Sequence, residues 1–238
     1  MWVTTADDQR SDSSRDSSRD APLDTAVVDV DGTLVDTNYH HALAWARAFG
    51  RYDVVVPVWR IHRAVGMGGD RLIAAVAGDE VEERCGDELR DAWVQEFDPM
   101  LGEVRVLDGA PEFLRFLRGE GLKVVLATSG KPEHVAHFLD LLDGRELSDG
   151  VVTAEDADSS KPAPDLVRAA LELVGGSSAV MVGDSAWDVL AAAETDVPTV
   201  CVRSGGYAVA ELEEAGARRV YDDLAALQAG WTDVTAPS

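Results

Sequence analysis

Short apolar runs alternate with amphipathic stretches along most of this chain. "TAVVDV" (25–30), "KVVLAT" (123–128), "GVVTA" (150–154), "AVMVGD" (179–184) and "PTVCV" (198–202) are five or six residues long and rich in β-branched residues. They read as strands. Being apolar throughout, they predict strands covered on both faces. Between them, "APEFLRFLRGEG", "KPEHVAHFLDLL", "APDLVRAALELVGG" and "SAWDVLAAAETD" repeat apolar residues at helical spacing. Several open on Pro or close on Gly, as helix ends do. Alternating strand and helix predicts an α/β fold: a doubly wound, Rossmann-like parallel sheet.

Two segments break the alternation. Residues 38–103 hold about four helical stretches, "NYHHALAWARAFG", "VPVWRIHRAVG", "GDRLIAAVAG" and "VEERCGDELRDAWVQEF". They predict a helical cap inserted into a core built from 23–37 and 104–238. Residues 1–22, with "SSRDSSRD", bury too little apolar surface to offset ordering entropy, and read as a disordered tail.

Composition narrows the partners. The net charge of −23 disfavours nucleic acid and anionic lipid as ligands. No apolar stretch approaches the length of a membrane span, and no signal peptide is evident, so a cytoplasmic protein is expected, monomer or homodimer. Cys85 and Cys201 read as free thiols. Arg outnumbers Lys 18 to 3, with Ala, Val and Asp abundant, a bias that a GC-rich genome or high-salt adaptation would each produce.

The strand ends carry the chemistry. Asp29 and Asp31 close the first strand, Thr128-Ser129-Gly130 the second, and Asp184-Ser185 the fourth, with Asp188 one turn later; Lys161 follows "VVTAEDADSS". In a parallel sheet these ends converge on one crevice. Carboxylates packed together repel and raise one another's pKa. Mg²⁺ would relieve that, and a hydroxyl, backbone N–H groups and an ammonium beside it would make a phosphate site.

"DVDGTLVDT", "VVLATSGK", "SSKPAPD" and "VGDSAWD" resemble, in order and spacing, the four motifs of the haloacid dehalogenase superfamily. The likeness covers roughly residues 24–205, and its nearest branch is that of phosphoglycolate phosphatases and β-phosphoglucomutases, with a helical cap. The resemblance implies Asp29 as nucleophile, forming an aspartyl phosphate, and Asp31 as acid and base. It implies Mg²⁺ held by Asp29, the Asp31 carbonyl and Asp184. Thr128 and Ser129, with Gly130 beside them, would bind the phosphoryl group. Lys161 would neutralise charge, and Asp188 would orient Lys161 or metal-bound water. His41 would reach substrate near the cap hinge, formed at Asp36 and Thr37.

The implied activity is hydrolysis of a small phosphorylated metabolite. A sugar phosphomutase and a non-catalytic binding protein are the alternatives. The cap has no lysine, which disfavours phosphonate hydrolysis, and the acidic set disfavours dehalogenation. "GMGGDRL" (66–72) reads either as a specificity loop over the site or as a turn with Asp70 as helix N-cap. Trp45, Trp59 and Trp93 are expected in the core of the cap. His134 and His137 are expected on a solvated helix face.

Overall fold

The computed structural model describes residues 22–236; all but the last residue of the expected tail lies outside them. The described residues form one parallel sheet of six strands: β1 (Thr25–Val28), β2 (Lys123–Ala127), β3 (Gly150–Val152), β4 (Ala179–Gly183), β5 (Thr199–Val202) and β6 (Arg219–Tyr221). Their order is β3-β2-β1-β4-β5-β6, which puts β1 in the middle with β2 and β4 as its neighbours. Five strands follow the apolar runs. β6 has no such run: "RVY" is half-exposed at the sheet edge and pairs with β5.

The strands are apolar throughout because each face packs its own core. Ala26, Val28, Val124, Leu126, Val180 and Val182 join one cluster, and Val27, Val125, Ala127 and Met181 the other.

Between β1 and β2 the chain forms α1 (Asn38–Arg51), α2 (Val58–His62), α3 (Gly69–Ala77), α4 (Asp79–Phe97), a 3₁₀ segment (Asp98–Glu103) and α5 (Ala110–Gly119). α1 packs on α4 through Trp45 on Trp93 and His41 on Trp93 and Phe97. The two passages into this helical segment touch each other. Val35 bridges Val106, Asp36 N–H donates to the Arg105 carbonyl (2.9 Å), and Leu107 N–H donates to that of Leu34 (2.9 Å).

The rest of the chain runs through α6 (Pro132–Leu142), α7 (Gly144–Leu147), α8 (Asp165–Val174), α9 (Ala186–Ala193), α10 (Val209–Ala215), α11 (Leu224–Ala229) and α12 (Trp231–Thr235). Both cysteines are free and buried. Among the described residues no helix is long and apolar enough to cross a membrane.

Two expectations need correction. Trp59 is 69% exposed rather than in the core, while Trp45 and Trp93 are buried. His134 is buried, not solvated: its Nε2 lies 2.8 Å from Asp98 Oδ1, and its ring packs on Phe97 and Trp93. The helix face that a period of 3.6 assigns to solvent is covered here by the segment inserted between β1 and β2.

Candidate active site

The site starts where β1 runs out. Asp29 N–H donates to the Val182 carbonyl (2.9 Å), so its backbone still lies in the sheet and its carboxylate is buried against β4. The chain then turns: Leu34 N–H returns to the Val30 carbonyl and Gly32 N–H to that of Val35. Gly32 makes this possible. Its φ is +81°, and a Cβ there would sit 2.5 Å from Asp184 Oδ2. The turn carries Asp31 beyond the strand, so two carboxylates two residues apart reach different points.

The neighbouring strand ends close in. Past β2, Thr128 Oγ1 donates to Asp31 Oδ2 (2.7 Å) and accepts from Gly130 N–H (2.9 Å). Ser129 Oγ donates to the Gly66 carbonyl in the helical segment (3.2 Å). Past β4, Asp184 is buried, and Ser185 caps α9 with Asp188, whose Oδ2 accepts from Ser185 N–H and Oγ. Lys161, on the loop between β3 and α8, is 1% exposed. Its Nζ donates to Asp29 Oδ1 and lies 2.6 Å from Asp188 Oδ1. His41 Nε2 lies 2.9 Å from Asp31 Oδ1, and its ring stacks on Phe97.

All nine residues singled out in the sequence therefore meet at one end of the sheet. Asp188 contacts Lys161 directly. Asp70 is not the cap of α3. That place is taken by Gly68, and Asp70 sits in the first turn with its carboxylate toward Ser160.

Four buried or nearly buried carboxylates, Asp29, Asp31, Asp184 and Asp188, face one ammonium. Burial holds the Asp29 carboxyl well above the usual range; Lys161 pulls it down, and Asp188, Asp184 and Asp31 push it up again. Burial also drives Asp184 up to about 7, helped by Asp188 and opposed by bonds from Asn38 and Thr33. Asp31 goes the other way. Burial raises it, but the His41 bond and charge and the Thr128 and Thr37 hydroxyls outweigh that and hold it at about 2. Lys161 is buried, but Asp188 and Asp29 more than offset the desolvation and raise its pKa, so it stays charged.

A hard divalent cation fits this set. Oxygens of Asp29, Asp184 and Asp188 lie within 4.8 Å of one another, and oxygen donors suit Mg²⁺. Asp29 and Asp184, whose carboxylates the Thr33 hydroxyl bridges, would hold it.

The model of the haloacid dehalogenase-like hydrolase family matches residues 23–196. The chain belongs to the haloacid dehalogenase-like hydrolases. A phosphoglycolate phosphatase of Rhodospirillum rubrum is 32% identical over 216 residues, covering 84% of this chain and 88% of that one. A validoxylamine A 7′-phosphate phosphatase of Streptomyces hygroscopicus subsp. limoneus is 28% identical over 173 residues, 70% of this chain and 79% of that one. The crystal structure of a hydrolase from Pseudomonas syringae superposes with a TM-score of 0.84 at 32% identity, over 90% of this chain and 100% of that one.

In this haloacid dehalogenase-like hydrolase, several supporting residues were not legible as site residues. Thr33 Oγ1 lies 3.1 Å from Asp29 Oδ2 and 3.0 Å from Asp184 Oδ1, bridging the two carboxylates. Asn38 Nδ2 donates to Asp184 Oδ2 (2.8 Å) from the first residue of α1. Gly205 comes so close that a Cβ would lie 1.8 Å from Asp184 Oδ2. Thr33 follows "DVDG" directly, the one local signal available. Asn38 and Gly205 reach the site only through tertiary packing.

Proposed function

We propose that this hydrolase is a Mg²⁺-dependent phosphatase that cleaves the monoester of a small phosphorylated metabolite through a phosphate covalently held on Asp29. The observation that carries the reading is the separation of Asp29 from Asp31. One carboxylate lies beside Lys161 and Asp184, and the other beside Thr128 and His41. The phosphatase names of the two relatives above support it.

In this reading an Asp29 oxygen attacks phosphorus, and the P–O bond to the substrate alcohol breaks. Asp31 gives that oxygen a proton, then takes one from the water that attacks the phosphoryl group, and inorganic phosphate leaves. Asp31 is held here in its ionised form by Thr128, His41 and Thr37. This is the state required of the base. The Thr128 hydroxyl, now donating to Asp31, is within reach of the same space as a phosphoryl oxygen. Its transfer to substrate would weaken the hold on Asp31 and let that group carry the proton needed by the alcohol. Lys161, always charged, keeps Asp29 oriented and offsets the phosphate charge. Asp188 holds Lys161 in place and Thr33 spans Asp29 and Asp184. When bound by Asp29, Asp184 and the Asp31 carbonyl, Mg²⁺ would withdraw charge from the phosphoryl oxygens. The helices between β1 and α5 act as a cap that limits water at the reacting centre.

Phosphate release from a panel of phosphorylated metabolites with Mg²⁺ tests the reading. Turnover is expected to vanish with EDTA, return with Mg²⁺, and fall at least ~1,000-fold in Asp29→Asn. Full activity in that variant would refute it.

A further inference from the structure

We infer that the substrate's leaving group is an uncharged hydroxylated ring or chain, a sugar- or cyclitol-like alcohol, with no second anionic group. The inference rests on the phosphatase reading and specifies its substrate class.

A cavity of about 310 Å³ opens over Asp29 and Asp31, bounded on the far side by α1, α4 and the loop before α3. That volume is near the lower end of small-molecule sites, about 300–1,000 Å³. A second phosphate or a carboxylate on the substrate would need a cation with free donors in this wall, because burying an unpaired anion is costly. The helical segment supplies one cation to the lining, Arg90, and both its terminal nitrogens are engaged. Arg90 Nη1 donates to Glu82 Oε1 (2.8 Å) and the Gly69 carbonyl (3.0 Å), and Nη2 donates to Asp87 Oδ1 (2.8 Å). Two carboxylates on one guanidinium leave no net positive charge for a ligand. Lys131 also borders the cavity, but it is exposed, as is Asp158 of opposite sign on the same lining.

The wall that remains is largely aromatic and apolar, and the charged side chain it adds, Asp70, is an anion. Trp45 and Trp93 stack at 5.4 Å between ring centres, and Trp93 continues onto His41 and so to Asp31. The C–H faces of a hydroxylated ring suit such a surface.

The test is kcat/KM of the full-length, Mg²⁺-loaded chain on two sets of esters. One set is glucose 6-phosphate, glucose 1-phosphate and inositol 1-phosphate. The other is 2-phosphoglycolate, 3-phosphoglycerate and fructose 1,6-bisphosphate. The best of the first set is expected to exceed the best of the second at least tenfold. A smaller lead, or the reverse order, overturns the inference and leaves the phosphatase reading intact. No phosphate release from either set overturns both. The double variant Glu82→Gln with Asp87→Asn releases the Arg90 guanidinium, and is expected to narrow the ratio between the sets several-fold. An unchanged ratio in this variant, with native circular dichroism, also overturns it.

Discussion

The carboxylate of Asp70, in the first turn of α3, accepts the hydroxyl of Ser160 at 2.6 Å, and Ser160 is the residue before Lys161. The same hydroxyl oxygen accepts Gly68 N–H at 2.9 Å. On the other side of the cavity, Ser129 bonds the Gly66 carbonyl and follows Thr128. One short loop, 66–70, is thus tied to the two core loops that present Thr128 and Lys161. The contact places Lys161 only while the helical segment is docked on the core.

Ser160→Ala is expected to lower kcat about tenfold, the loss of roughly 1.4 kcal/mol at the transition state, with little change in KM. Asp70→Asn keeps an acceptor oxygen and should hold most of the activity, whereas Asp70→Ala should resemble Ser160→Ala. Steady-state kinetics on the three variants read this directly. Equal losses in Asp70→Asn and Asp70→Ala would show that the bond to Ser160 is not what matters.

Lys161 is the ammonium buried among the site's carboxylates, paired with Asp29 and Asp188. Lys161→Met fills similar space but leaves both acids buried and uncompensated. It should cost about 3–5 kcal/mol of stability without metal, along with the activity. Urea unfolding in EDTA measures the first. A midpoint equal to wild type would mean that the acids shed their charge at no cost.

Gly205→Ala tests the approach to Asp184. The added Cβ would overlap Oδ2, so the carboxylate must shift from its present position. We expect Mg²⁺ to bind at least tenfold more weakly in calorimetry, with the fold retained. Unaltered Mg²⁺ affinity would place the ion elsewhere.

Asp24 offers a stability test far from the chemistry. It joins the start of β1 to the turn before β4, accepting from Thr25 Oγ1 (2.7 Å) and from Ser177 Oγ and N–H. Burial raises its carboxyl and is the largest single effect, but these bonds, led by Ser177, together outweigh it and lower the pKa to about 2 from an ordinary 3.8. A depressed folded pKa stabilises above the unfolded value, and that contribution fades as pH falls from about 4 toward 2. Asp24→Asn should therefore cost ~1 kcal/mol at pH 7, scaled down for its exposure. The difference should shrink near pH 3. A gap in unfolding free energy that persists there would assign the effect to packing instead.

The strands and the carboxylates were readable in the chain because their causes are local. A run such as "AVMV" can be buried on both faces only in a covered sheet, and a parallel sheet sends every strand end to the same side. Once those ends held Asp29, Thr128 and Asp184, their convergence followed. Edge strand β6 was not readable, since "RVY" is half-exposed and takes its place only from pairing with β5. His134 and Trp59 were misjudged for a related reason: their burial depends on what packs over a helix, not on the helix itself.

Residue order alone thus determined five strands of the sheet and the acids and lysine beyond their C-terminal ends, because periodicity and charge act over a few neighbours. Tertiary packing decided the rest. It brought Asn38 and Gly205 onto Asp184, set Asp70 against Ser160, and tied Arg90 to the Gly69 carbonyl. Those contacts join segments whose proximity exists only after the core has closed, so no local pattern encodes them.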